Sequence, residues 1–98
     1  MKHPLEEKLT LIKEIKYNFA NVPNIIGKVY EVNDSAVQDY KFCWDINFYN
    51  RIDGEAGPNQ PGTATMYAHT QIDAETKLEL YAMRFEHAID WSVNSSFA

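Results

Sequence analysis

The sequence predicts an α+β domain, one N-terminal helix packed on a four-stranded antiparallel meander sheet. Three observations carry that expectation. First, Tyr40, Phe42, Trp44, Ile46, Phe48 and Ile52 recur at every second position, broken only by Asn50, and alternate with Lys41, Cys43, Asp45, Asn47, Tyr49 and Arg51. Successive strand side chains point to opposite faces, so this stretch reads as a central strand with one apolar and one wet face. Second, Leu5, Leu9, Ile12, Ile15 and Phe19 recur at helical spacing. Third, the chain has 98 residues, enough for one domain with one core.

The helix is expected over residues 4–20. Pro4 suits a first helical turn, Glu6 and Glu7 suit the positive end of the helix dipole, and Asn21, Pro23 and Asn24 stand where the stripe ends. Residues 25–32 read as the first strand, with Gly27 marking a bend or bulge. A polar turn opening at Asn33-Asp34-Ser35 leads into the central strand. Residues 53–62 hold three of the four glycines and two of the four prolines and read as a long connecting loop. The loop carries no Gly-Lys-Ser/Thr ending, so it is not a phosphate loop.

Residues 63–72 read as a third strand. Ala64, Met66, Ala68 and Ile72 fall on one face, and Thr63, Thr65, Tyr67, His69 and Gln71 on the other. Two templates compete for the remainder. Leu78, Tyr81, Ala82, Phe85, Ala88 and Ile89 fit a helical stripe with Asp73 as its N-cap. Tyr81, Met83, Phe85, Ile89, Trp91 and Val93 fit one face of a strand, with a bulge near Ala82. The strand leaves fewer apolar residues off its face, so the expectation is a long bent strand over 77–94. The resulting element order resembles the outline of cystatin-like folds. The glutamine-valine-valine-alanine-glycine loop of the cystatins is missing from this sequence, so the resemblance implies no inhibitory activity.

A formal charge of −5, with nine scattered Lys and Arg, argues against nucleic acid and against an anionic membrane as partner. Cys43 is the one cysteine, which rules out an internal disulfide. Residues 1–20 carry mixed charge rather than a basic head and an apolar core, and no apolar run reaches membrane-spanning length. The expected location is cytoplasmic. Asn94-Ser95-Ser96 matches a glycosylation acceptor, which matters only in a secreted protein.

Chemistry is sparse. His69 and His87 could face each other across a last hairpin and, with Asp45 or Glu86, make a loose metal site; ordinary sheet residues explain them as well. Cys43 lacks a flanking motif and suits a packed strand interior. No catalytic residue, metal or cofactor is expected. The wet face offers Tyr49, Arg51, Tyr67 and His69, and Trp91 extends the apolar face of the last strand. Tyr, Trp and Arg are enriched where proteins bind one another. A helix over 4–20 spans about 25 Å, and a strand over 77–94 more than twice that, so apolar surface is left for a partner. The expected function is a non-enzymatic interaction or assembly protein of phage or bacterial type. It binds a protein partner or a second copy through its sheet, at Tyr49, Arg51, Tyr67, His69 and Trp91. The alternative is a small ligand-binding or enzymatic domain with a cavity between helix and sheet.

Overall fold

The long helix lies in the second half of the chain, and residues Leu9–Tyr17 are a strand. The structure, a computed structural model, describes residues 9–33 and 40–97. Its elements are β1 (Leu9–Tyr17), β2 (Ile25–Val32), β3 (Phe42–Ile46), β4 (Phe48–Arg51), α1 (Thr63–Met66), β5 (Tyr67–Ala68), α2 (Gln71–Met83), a 3-10 turn (Arg84–His87) and β6 (Asp90–Val93). Strands β1, β2, β3 and β5 form one antiparallel sheet in that order, and β4 and β6 form a separate antiparallel ribbon. The α+β class stands. The N-terminal helix and the single meander do not, and the element order seen differs from the cystatin-like outline.

The expected helix over 4–20 is overturned across Leu9–Tyr17; residues 4–8, with Pro4, Glu6 and Glu7, lie outside the described residues. Leu9, Leu11, Ile15, Tyr17 and Phe19 also alternate with period two, so local sequence fits both templates. The ladder decides: β1 pairs with β2 from Tyr17↔Ile25 to Leu9↔Val32. Ile12 is the extra residue of a bulge between Leu11 and Lys13. The residues that read as a helix stop form the β1–β2 turn, where Asn21 adopts φ 66°, a left-handed conformation that Asn tolerates.

The expected strand over 77–94 is likewise overturned. Residues 71–83 are helical, and the Thr70 hydroxyl caps the helix by accepting from the Asp73 amide at 3.1 Å. Ala74, Leu78, Tyr81 and Ala82 form its buried stripe, continued by Phe85. They cover Ile25, Val29, Trp44 and Ile46 of the sheet, all buried. Register puts Gly27 beside Ile46 and Val29 beside Trp44 on that face. Gly27 is neither bend nor bulge: a Cβ there would stand 2.8 Å from both Leu78 methyls. The glycine lets α2 lie close on β2.

The third strand shrinks to Tyr67–Ala68, because Thr63–Met66 after Pro61-Gly62 makes a helical turn. The Thr65 carbonyl of that turn accepts the Trp44 indole N–H at 2.8 Å. The central strand 40–52 is split at Asn47 between the two sheets. Asn47 is the corner: its side chain accepts from the Ile26 amide at 2.8 Å and donates to the Asn24 carbonyl at 3.0 Å. Its apolar phase points inward as read, but the wet face is not wet at Cys43 and Asp45, which are buried. The C-terminal segment covers Asp45, and Cys43 lies between Tyr30 and Tyr67 in the ladder. The Asn94 side chain, itself buried, donates to Asp45 at 2.9 Å and to the Ile46 carbonyl at 2.7 Å, and Lys28 lies over the Phe97 ring.

Candidate interaction surface

The ribbon is anchored through one polar residue. Asn50, in β4, is fully buried. Its backbone N–H donates to the Tyr81 hydroxyl at 2.9 Å, and its side chain donates to the Tyr81 carbonyl at 3.3 Å and accepts from Arg84 Nε at 2.7 Å. Its carbonyl accepts from the Asn59 amide at 2.7 Å, and the Tyr81 hydroxyl donates to the Asn59 carbonyl. Arg84 also pairs with Glu55, whose carboxylate accepts from the Ile52 amide at 2.9 Å. That amide, and then Arg84, hold the Glu55 carboxyl below the usual carboxylate range. Burial pushes the Tyr81 phenol up to about 12. The 53–62 loop is thus tied to the end of α2. Each of these groups has a hydrogen-bond partner within the cluster, as buried polar groups require.

The ribbon presents an open edge. The Asn94 amide donates to the Asn47 carbonyl at 2.9 Å, and antiparallel hydrogen bonding repeats every second residue. Ser92 and Asp90 therefore turn their backbone groups toward Tyr49 and Arg51, their register partners. Trp91 and Val93 turn theirs outward. Asn50 agrees, since its N–H and carbonyl go to Tyr81 and Asn59, away from β6. Among the described residues β6 pairs with β4 alone, and all four of its residues are exposed, Val93 to 67% and Trp91 to 36%.

The structure divides the sequence-predicted site residues. Tyr49, Arg51 and Trp91 all lie on the ribbon but on opposite faces: register sets Tyr49 and Arg51 beside Ser92 and Asp90, and Trp91 beside Asn50. Tyr49 is half-buried and bonded to Gln60, and Arg51 lies 3.9 Å from Asp90 and reaches the Glu55 carbonyl at 3.2 Å. Tyr67 and His69 are elsewhere. Tyr67 is buried in β5 opposite Cys43, a correction to its place on an exposed face, and Tyr40 packs against both Tyr67 and His69, with ring centroids 6.0 and 4.9 Å away.

Between α2 and the sheet, where the alternative reading puts a cavity, Ala74, Leu78 and Ala82 are fully enclosed and the Leu78 methyls take up the space above Gly27. Asp45 lies on the sheet's other face, register partner to Lys28. His87 is exposed in the 3-10 turn. Among the described residues no three His, Cys, Asp or Glu side chains gather to hold a metal, and no helix is long and apolar enough to cross a membrane.

Sequence reasoning missed one surface. Ile72, Leu80 and Met83 stand out from α2, exposed to 78%, 68% and 42%. Their spacing from Thr76 was visible, but a stripe opposite the buried one is recognisable only once residues 71–83 are known to be helical. Comparison of the chain with protein-family models, curated proteins and solved structures finds no match.

Proposed function

We propose that the protein is a non-enzymatic interaction and assembly protein that associates by adding a strand to the open edge of β6. The observation that supports this is the outward backbone of Trp91 and Val93 on an edge strand whose four residues are all exposed. A second copy is the occupant the ribbon suits best. Two β6 strands related by a two-fold axis at Ser92 set Trp91 opposite the partner's Val93, an aromatic–β-branched pair of the kind that stabilises sheets by roughly 0.2–1 kcal/mol. The ribbon is locally neutral, with Arg51 beside Asp90, so like charges do not oppose the pairing despite the net charge of −5. Asp90 also accepts from the Trp91 amide at 2.9 Å, which blunts the edge in the free protein.

The test uses Val93→Pro. Proline at 93 removes an outward N–H that the monomer's own ladder does not use, and edge strands accept it there. Light scattering across a dilution series is expected to show wild-type protein forming dimers that Val93→Pro reduces to monomers, with the melting profile retained. Wild-type protein that stays monomeric throughout, or a dimer indifferent to Val93→Pro, overturns the reading.

A further inference from the structure

We infer that the outer face of α2 is a second docking site, one that takes a basic amphipathic helix of another protein. At about 100° per residue, Ile72, Thr76, Leu80 and Met83 fall within an arc of about 80°, on the side of the helix away from Ala74, Leu78, Tyr81 and Ala82. The apolar stripe spans about 16 Å, three turns, a length that a partner helix matches with residues at i, i+3 or i+4, and i+7. The rim selects the charge. One flank carries Glu75 and Glu79, with Glu86 just beyond the helix; the other carries Asp73, Lys77 and Arg84. The two cations are engaged within the fold. Lys77 reaches Asp73 at 3.7 Å and the Tyr67 carbonyl at 3.0 Å, and Arg84 holds Glu55 and Asn50. Glu75 is bound by Lys13 at 2.9 Å, whereas Glu79 and Glu86 have no ion-pair partner among the described residues.

A glutamate flank along one side of the apolar stripe disfavours a second copy here. Two α2 helices packed antiparallel about a two-fold axis would set the glutamate flank of one against that of the other, on chains already at −5. A helix bearing Lys or Arg beside a Leu or Ile seam meets both requirements, burying the stripe and neutralising Glu79 and Glu86.

The test measures fluorescence anisotropy at physiological salt with two dye-labelled peptides of about five helical turns. One has leucines at i, i+3, i+4 and i+7 with lysine elsewhere; the other has glutamate in place of lysine. Wild-type protein and Val93→Pro are expected to bind the lysine peptide alike. The Ile72→Ser/Leu80→Ser/Met83→Ser variant is expected to bind it at least about tenfold more weakly, a loss of about 1.4 kcal/mol. Glu79→Lys/Glu86→Lys is expected to shift preference toward the glutamate peptide. Equal binding of the lysine peptide to wild-type protein and the serine variant would mean bare attraction to an acidic chain, and overturns the proposal. So does binding to neither peptide, or a wild-type dimer that the serine substitutions dissociate while Val93→Pro does not. If the serine variant loses its fold, the glutamate-to-lysine variant decides alone: an unchanged peptide preference overturns the proposal.

Discussion

Asn50 has no accessible surface, and each of its polar groups finds a partner on α2, the 3-10 turn or the 53–62 loop. A buried donor left without an acceptor costs about 1–3 kcal/mol, more than a hydrogen bond contributes net when both partners are present. Tyr81→Phe removes the hydroxyl that accepts from the Asn50 amide and donates to the Asn59 carbonyl, and little else. Urea denaturation is expected to show a loss of about 1–3 kcal/mol with an unchanged m-value, and the Asn50 amide is expected to exchange faster with solvent. A loss under about 0.5 kcal/mol would mean that water replaces the hydroxyl at no penalty and that the cluster does not pin the ribbon. Half of this node was legible. Asn50 is the one polar residue in the apolar phase of its strand, and its inward direction follows from that phase. Its partner was not, because Tyr81 is 31 residues away and reaches it only through the packing of α2.

At the level of elements, local pattern was a fair guide to where segments break and a poor one to what they are. Asn21, Pro23 and Asn24 mark a boundary in either reading, yet the segment before them is a strand because β2 offers a ladder that an isolated helix cannot match. Residues 81–93 satisfy period two, but the helical stripe from Ala74 to Phe85 is what covers the single apolar face of the sheet. Gly27 records that choice. Its missing Cβ is the imprint of Leu78, and a glycine in a strand pattern signals either a bulge or a close neighbour. Gly27→Ala is expected to cost about 1–3 kcal/mol by overpacking, since Leu78 is enclosed and cannot swing aside. Leu78→Ala alone is expected to cost about 2–5 kcal/mol. The double variant is expected to be more stable than the sum of the two predicts, because the new methyl fills part of the cavity. Additive effects in a thermal or urea double-mutant cycle would mean that α2 does not rest on β2 at this point.

Across the whole molecule, tyrosines sit at the seams on both sides of the sheet. Tyr17 packs on the α2 side, its phenol pushed up by burial and then by Glu79 and Glu75. Tyr30 and Tyr49 are pushed up by burial and then by Asp45, and Tyr81 by burial to about 12. In each case the folded state disfavours the phenolate, so it holds its proton more tightly than the unfolded chain does. The stability this represents is fully present below about pH 10, the ordinary tyrosine range, and is lost as pH rises from there toward 12. The growing negative charge of a chain already at −5 acts in the same direction. The urea midpoint is therefore expected to hold steady through neutral pH and to fall above about pH 10. Phenolate formation at Tyr17, Tyr30, Tyr49 and Tyr81 should accompany unfolding rather than precede it, and Tyr81→Phe, though weaker at neutral pH, should lose less of its remaining stability on the alkaline side. Tyrosinate that appears in full near pH 10 while the far-ultraviolet signal stays native would show that water reaches these phenols. The seams joining ribbon, sheet and helix would then be open, and the β6 edge and the α2 stripe would no longer be two fixed surfaces of one rigid body.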